Sequence, residues 1–353
     1  MHYPEHNPLG KFFNKMATSF EKGLPFSCYR KPGEKEIRSI YQHNDALNRA
    51  VTFKERGFVF APFDLEKGAV LVQPDDVQTI SLDTLATPAK EKVHEGESGK
   101  LQHINLVEQG ISEIRKGHLE KVVLSRRISV ERSKGPIDIF YTLLSLYPQA
   151  FCYLFYHPKV GTWCGATPET LVQISNNTMK TMSLAATMPY QEHKEPEWGS
   201  KEIEEQQLVS DYIRVKLQPL MEKLKVGDAK STRAGNLWHL KSKVKGTLLP
   251  ETDIGEIITS LHPTPAVCGI PVSAANTFIK KHEGYDRGFY TGFLGELNLE
   301  KEKEISLFVN LRCMELHPNS AFIFVGGGIT AASDPESEWT ETQNKSLTMF
   351  NVL

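Results

Sequence analysis

Short apolar runs rich in β-branched and aromatic residues recur along the chain, separated by glycine, proline and polar residues. This pattern is typical of β-strands. It predicts strands at residues 151–156, 162–166, 171–174, 178–184, 305–312 and 321–326, and a further strand that begins at Val122.

Longer segments repeat apolar residues three and four positions apart, as on one face of an α-helix. One spans about residues 104–116 and ends before Gly117, a residue type that often caps helices. A second runs from about 195 to 225, and others precede Leu261 and extend from Glu336 to the end. The apolar face of the second helix consists of Ile203, Leu208, Val209, Ile213, Val215 and Leu217.

Consecutive strands, with helices in separate runs, predict an α+β fold with antiparallel sheets rather than a repeating βαβ fold. Residues 1–100 are less regularly patterned and include a loop-like stretch at 89–100, so we interpret them as an accessory layer. The 353 residues are enough for two domains or for one large domain.

Composition narrows the class of protein. Hydrophobic residues make up 40% of the chain, as in ordinary globular proteins, and the formal net charge of −2 gives no reason to expect a nucleic-acid or membrane partner. The five cysteines include no Cys-x-x-Cys pair, and the first residues do not resemble a signal peptide. We therefore expect a cytoplasmic protein with a small-molecule ligand.

Two segments carry a candidate base and a candidate acid. In KVVLSRR (121–127), Lys121 stands at a strand edge, where lysines are usually solvated, but a buried lysine near other cations can take a proton from water. In GATPETL (165–171), Glu169 follows a Thr-Pro turn, where a carboxylate usually caps the turn. A partly buried glutamate can instead remain protonated and donate to a leaving group.

Two pairs of glutamates share a spacing of three residues, which places each pair on one helix face. They are Glu202 with Glu205 and Glu338 with Glu341. Either pair alone is typical of a solvated helix surface. Two pairs that face each other would form a site of carboxylate oxygens, which favours magnesium over zinc.

A candidate anion site lies near the predicted strand FVGGGI (324–329). Glycines let backbone amides approach a ligand, but glycine runs are often turns. Arg312, at the end of another predicted strand, is stronger evidence for an anion site than the glycines are, because its planar guanidinium matches a carboxylate.

The order of these segments resembles the chorismate-binding enzyme family, which includes isochorismate, salicylate, anthranilate and aminodeoxychorismate synthases. The resemblance covers about residues 104–353. It rests on KVVLSR (121–126), GATPE (165–169), LWHL (237–240), PTPAVCG (263–269), YDRGFYTG (285–292), LRC (311–313) and the terminal segment 328–342, which includes SDPESEWTET.

The resemblance implies one domain over residues 1–353, with two facing antiparallel sheets wrapped by helices and an active site in a cleft. It implies that Lys121 activates water for attack at C2 of chorismate and that Glu169 protonates the departing C4 hydroxyl. It also implies one magnesium ion that anchors the ring carboxylate. The direct ligands would be Glu205 and Glu341, and Glu202 and Glu338 would hold the metal's waters.

The resemblance further implies a set of substrate contacts. The enolpyruvyl carboxylate would bind at Arg312, Tyr290 and the backbone around Gly326, while His239 lines the cleft and Lys345 lies near the metal shell. Ala186 and Thr187 would lie close to the acid and the substrate. The family commonly has Leu-Ala-Gly-Thr there, so Ala186 replaces a glycine.

Within the family, the lysine at position 121 favours water over ammonia, because anthranilate synthases usually carry glutamine there. The Pro-Ile-Lys-Gly-Thr segment of aminodeoxychorismate synthases, with its nucleophilic lysine, corresponds to SLAAT (183–187) in this chain. We therefore expect isochorismate synthase activity in a monomer without a glutamine amidotransferase subunit. The alternatives are salicylate synthase, component I of anthranilate or aminodeoxychorismate synthase, and an inactive chorismate-binding protein. Both menaquinone and siderophore synthesis draw on isochorismate.

Overall fold

Two antiparallel sheets form the centre of the molecule, and together they contain nineteen strands in the described part of the chain. The strands are β1 Phe26–Arg30, β2 Glu36–Tyr41, β3 Asn48–Ala50, β4 Gly57–Ala61, β5 Ala69–Val72, β6 Asp76–Ser81, β7 Lys121–Glu131, β8 Phe151–His157, β9 Gly161–Thr167, β10 Thr170–Ser175, β11 Thr178–Pro189, β12 Met221–Val226, β13 Lys230–Ala234, β14 Leu237–Leu248, β15 Gly269–Ile270, β16 Phe293–Leu297, β17 Ile305–Val309, β18 Cys313–Leu316 and β19 Ser320–Ile329. The first sheet has the order β15-β7-β19-β18-β9-β8-β1-β2-β6. The second has the order β12-β14-β11-β10-β17-β16-β4-β5-β3, and β13 also pairs with β14.

The structure, a computed structural model, describes residues 8–82, 96–190, 192, 195–234 and 237–353, without the side chains at 189 and 234. Most of the predicted loop at 89–100 therefore lies outside the described residues. Among those described, no helix is both long and apolar enough to cross a membrane. The α-helices are α1 Pro8–Glu21, α2 Lys100–Arg115, α3 Pro136–Leu146, α4 Ser200–Leu217, α5 Ile254–Leu261, α6 Val272–His282 and α7 Pro335–Phe350.

Aromatic side chains fill the space between the two sheets. The Phe151 ring of the first sheet stacks on Phe308 of the second with 4.1 Å between centroids, and Phe60 meets Phe155 at 4.4 Å. Each such fully buried ring stabilises the fold by roughly 1.5–3 kcal/mol. Helices α1, α3 and α7 cover the outer face of the first sheet, and α4 and α5 cover that of the second. The predicted α+β architecture of facing antiparallel sheets is confirmed.

The amino-terminal region is an integral part of both sheets. Strands β1, β2 and β6 belong to the first sheet and β3, β4 and β5 to the second. The interpretation of residues 1–100 as an accessory layer is therefore wrong. Three of their strands, β1, β4 and β5, are short and buried on both faces, so they lack the alternation that marks a strand in the sequence.

The helix predicted at 195–225 is shorter than expected. Helix α4 ends at Leu217, a short 3-10 turn containing Pro219 follows, and Met221–Val226 forms β12 instead. Proline cannot donate the hydrogen bond that would continue the helix. The predicted apolar face is also only partly correct, because Ile203 and Val215 are 56% and 70% exposed.

Two further predictions about strands need correction. The strand predicted at 305–312 ends at Val309, and Arg312 lies between β17 and β18 with a positive φ of 47°. The strand predicted at 321–326 continues through the glycines to Ile329, and residues 326–328 pair with β7.

Candidate active site

One cavity lies where β7 and β19 of the first sheet meet β11 and β14 of the second. It contains about 710 Å³ of space not filled by atoms, including the part open to solvent. Ten of the predicted site residues line it: Glu169, Ala186, Thr187, Glu205, His239, Tyr290, Arg312, Gly326, Glu341 and Lys345.

Lys121 lies just behind the wall of this cavity and is 1% exposed. It begins β7 and shares a strand face with Val123, which lines the cavity. Its Nζ is 2.8 Å from Oε1 of Glu205 on α4. A Cβ on Gly328 would lie 2.5 Å from that Glu205 oxygen and 2.9 Å from Lys121 Cε. A side chain at position 328 would therefore displace this ion pair from its place beside β19.

Glu169 lies in the turn between β9 and β10 and is 4% exposed. Burial raises the pKa of its carboxyl group to about 8, although Lys121, Lys345 and Lys241 act in the opposite direction. The carboxyl group is therefore mostly protonated at neutral pH. The cavity thus has a proton donor at Glu169, and an amine at Lys121 lies behind its wall.

The two glutamate pairs predicted from the sequence come from α4 and α7, and lysines bind three of the four carboxylates. Glu338 Oε1 is 2.9 Å from Lys201 Nζ, and Glu341 Oε1 is 2.5 Å from Lys345 Nζ. The fourth, Glu202, accepts a hydrogen bond from the backbone N–H of Gly199 at the start of α4. Lys201 was missed as a site residue, because nothing in the sequence indicates that it meets α7.

The charges that shift the pKa values of Glu338 and Glu341 indicate that these carboxylates lie close together. Burial, followed by the neighbouring charge of Glu341, raises the pKa of Glu338, and Lys201 opposes the increase. Burial would also raise the pKa of Glu341, but Lys345 and Lys201 outweigh burial and lower it. Lys201 interacts electrostatically with Glu338, Glu205 and Glu341, so the two helices bring members of both pairs together.

The carboxylates have the donor chemistry for a hard cation, although they are not arranged as a coordination shell. Within the described residues, no group of three or more His, Cys, Asp or Glu side chains converges as a metal site. Glu338 Oε2 is nevertheless buried without a hydrogen-bond partner. A Cβ on Gly327 would lie 3.1 Å from that atom and 3.7 Å from Glu341 Oε1. Two carboxylate oxygens therefore approach the same glycine, and oxygen ligands of this kind suit magnesium.

Arg312 and Tyr290 lie on another wall of the cavity. Arg312 is held by its left-handed backbone between two strands, and its Nη1 donates to Thr348 Oγ1 at 3.3 Å. Burial raises the pKa of Tyr290, so its hydroxyl stays protonated and can donate a hydrogen bond. A Cβ on Gly326 would lie 3.0 Å from that hydroxyl. Lys345 donates to the carbonyl of Gly326 at 2.8 Å, which adds a second cation to this region.

His239 and Ala186 form a pair across β14 and β11. The Ala186 carbonyl oxygen is 2.9 Å from His239 Nδ1, and Thr187 Oγ1 is 3.4 Å from the same nitrogen. Burial, followed by Arg312, lowers the pKa of His239 to about 3, so the ring is neutral. Its Nε2 is buried without a protein partner. Ala186 has a φ of 58°, a left-handed conformation that favours glycine.

A buried ion pair that the sequence did not predict positions β7. Arg287 Nη2 is 2.5 Å from Glu283 Oε1, and both side chains are at most 2% exposed. Arg287 also donates to the carbonyl of Val123 at 2.7 Å, while Glu283 accepts from the N–H and Oγ of Ser125 at 2.8 Å. Arg287, which belongs to the segment 285–292, therefore helps to position the strand that carries Lys121.

Comparison with known proteins gives a consistent result. Residues 69–353 match the family described as "Chorismate binding enzyme". The chain is 32% identical over 321 residues to isochorismate synthase DhbC of Bacillus subtilis, covering 83% of this chain and 79% of that protein. It is 28% identical over 309 residues to isochorismate synthase MenF of Escherichia coli, covering 84% and 70%.

A solved structure has the same architecture. The Bacillus anthracis protein provisionally assigned as a 2,3-dihydroxybenzoate-specific isochorismate synthase, DhbC, superimposes with a TM-score of 0.81 at 25% identity. The match covers 96% of this chain and 99% of that one.

Proposed function

The chain belongs to the chorismate-binding enzyme family, and we propose that it is an isochorismate synthase, an isomerase that converts chorismate to isochorismate. The observation that carries the proposal is the pairing of a buried amine with a buried carboxylic acid at one cavity. The two groups have opposite roles in proton transfer. The amine of Lys121 can accept a proton, and the Glu169 carboxyl, with its pKa of about 8, can donate one.

In the proposed reaction, water attacks C2 of chorismate and loses a proton to the amine of Lys121. The ring double bonds shift, and the C4–O bond breaks. Glu169 gives its proton to the departing hydroxyl group, which leaves as water. Because one water enters and one leaves, the net change is the movement of a hydroxyl group within the ring.

Positive and hydrogen-bonding groups support binding of a substrate with two carboxylates. Arg312 and the Tyr290 hydroxyl provide donors on one wall, as proposed for the enolpyruvyl carboxylate. The neutral ring of His239 has a free, buried Nε2 beside them. Lys345 contributes a cation between this wall and Glu341.

We also propose that Glu205 and Glu341 bind magnesium directly and that Glu338 and Glu202 support the ion's water shell. A bound magnesium ion would supply positive charge for the ring carboxylate of chorismate. The unpartnered oxygen of Glu338 and its approach to Gly327 support this assignment. Lys121 and Lys345 would then lose carboxylate partners, so the ion pairs around the cavity would rearrange on binding.

Product analysis tests the proposed function. Purified protein with chorismate and magnesium, in a buffer without ammonia, is expected to form isochorismate with little salicylate. Chromatography of the quenched reaction separates the two. Dominant salicylate and pyruvate would indicate a salicylate synthase, and a requirement for ammonia would indicate the amine-forming members. Tight chorismate binding without any product would indicate an inactive binding protein.

A further inference from the structure

Seven lysines lie on one face of the second sheet, although the whole chain has a net charge of −2. On β14, Lys241, Lys243 and Lys245 alternate with buried residues and therefore share a face with His239. Direct cross-strand partners add the others to the same face. The pairs are Lys180 with Lys245, Lys225 with Lys245, Lys230 with Lys241, and Lys223 with Thr247, which also shares this face. On the neighbouring strand β10, Gln173 pairs directly with Lys180 and therefore lies on the same face. We call this surface the lysine face.

The lysines of this face are not paired with carboxylates in the described part of the chain. Within the described residues, none of its seven lysines forms an ion pair. Five of them line a hollow with about 990 Å³ of space not filled by atoms, including the part open to solvent. Lys180 and Lys245 also line an adjoining hollow that contains Glu34, Glu296 and Glu304. Of these, Glu296 is already bound by Lys31 and Arg38.

The lysine face leads into the candidate active site. Exposure increases along β14 from buried His239 to half-buried Lys241 and exposed Lys243 and Lys245. Leu184, opposite Lys241, lines the active-site cavity, as does His239. Burial and then Lys243 lower the pKa of Lys241, and Glu169 opposes them, so Lys241 is within electrostatic reach of the proposed acid. Lys241 therefore connects the two regions.

These lysines are close enough to act together on an approaching anion. Alternate residues on a strand are about 6.6 Å apart, which is less than the Debye length of about 8 Å at physiological ionic strength. Their potentials therefore add instead of being screened separately. A charged surface of this kind can raise the association rate of an oppositely charged ligand roughly 10- to 1,000-fold.

We propose that the lysine face is the approach surface for the substrate and guides a small dianionic ring acid from solvent along β14 to the cavity. The inference rests on the proposed function, because that function requires a substrate with two carboxylates. The lysine face is continuous with the cavity, and its residues become more buried along β14 toward His239. A surface that docks a polyanionic macromolecule would need neither feature. The lysine face acts on capture of the substrate and not on the chemical step.

The test compares two triple variants that lose the same charge. Lys180→Gln/Lys243→Gln/Lys245→Gln removes exposed lysines from the lysine face, and Lys11→Gln/Lys22→Gln/Lys301→Gln removes exposed lysines elsewhere. kcat and kcat/KM for chorismate are measured at about 0.01 M and about 1 M salt, where the Debye length is about 30 Å and 3 Å. Heparin binding is measured on the same proteins as a probe for macromolecular polyanions.

At low salt, we expect kcat/KM of the lysine-face variant to fall about three- to tenfold relative to the control variant, with kcat little changed. At high salt the difference should disappear. Equal kcat/KM in the two variants at low salt would overturn the inference, as would loss of heparin binding with unchanged kcat/KM. If the unmodified protein converts no chorismate at either salt concentration, the proposed function itself fails.

Discussion

Lys121 Nζ and Glu205 Oε1 are 2.8 Å apart in a buried ion pair that joins β7 to α4 behind Gly328. One residue of the pair is the proposed base and the other is a proposed magnesium ligand. Removing one member of a buried pair usually leaves a costly uncompensated charge. For a variant at either position, the change in stability must therefore be measured separately from the change in catalytic rate.

Lys121→Gln removes the proton-accepting amine but keeps an NH2 donor on a slightly shorter side chain. We expect the rate of isochorismate formation to fall at least about 100-fold, with little change in chorismate affinity. Steady-state rates and calorimetric binding of chorismate measure the two effects. Exposed Lys116→Gln is the control. A near-normal rate for Lys121→Gln in ammonia-free buffer would show that another group is the base.

The pKa of about 8 at Glu169 predicts the alkaline side of the pH profile. Its carboxyl group is protonated below this pH and can donate, and it loses the proton as the pH rises through about 8. We therefore expect kcat/KM for chorismate to decrease above about pH 8. Glu169→Gln should be inactive, while exposed Glu131→Gln keeps the wild-type profile. A profile that stays level to about pH 9 would contradict the role of Glu169 as the acid.

Glu205→Gln and Glu341→Gln should each weaken magnesium binding at least about tenfold, because each removes one proposed anionic ligand. Titration calorimetry with magnesium alone measures this effect without turnover. Glu204→Gln is the matched control, since Glu204 is exposed on the same helix. The magnesium assignment would be wrong if the affinities of both variants equalled that of the control.

Ala186→Gly should stabilise the protein by about 0.5–1 kcal/mol, because glycine adopts a φ of 58° without the strain that a Cβ causes. Ala185→Gly, at the adjacent position without a positive φ, should instead destabilise it by about the same amount. Thermal or denaturant unfolding of both variants measures the difference. Equal destabilisation by both changes would show that Ala186 carries no significant strain.

Local patterns in the sequence were sufficient for many of the elements and for the residue types of the site. The helix predicted at 104–116 corresponds to α2, and Gly117 follows it with a positive φ of 80°. Periodicity of this kind depends only on nearby residues, so one sequence reveals it. The spacing of three between Glu202 and Glu205 likewise placed both on one helix, and family resemblance supplied their proposed partners on α7.

The tertiary structure alone decided which side chains meet. Lys201 binds Glu338 from 137 positions away in the chain, and Arg287 reaches the carbonyl of Val123 across 164. The lysine face likewise depends on strand register, which places Lys180 opposite Lys245. The sequence by itself determined the periodicity, the chemical groups and the family resemblance. Burial, strand pairing and the pKa of Glu169 arise from contacts between distant segments, and no local pattern encodes those contacts.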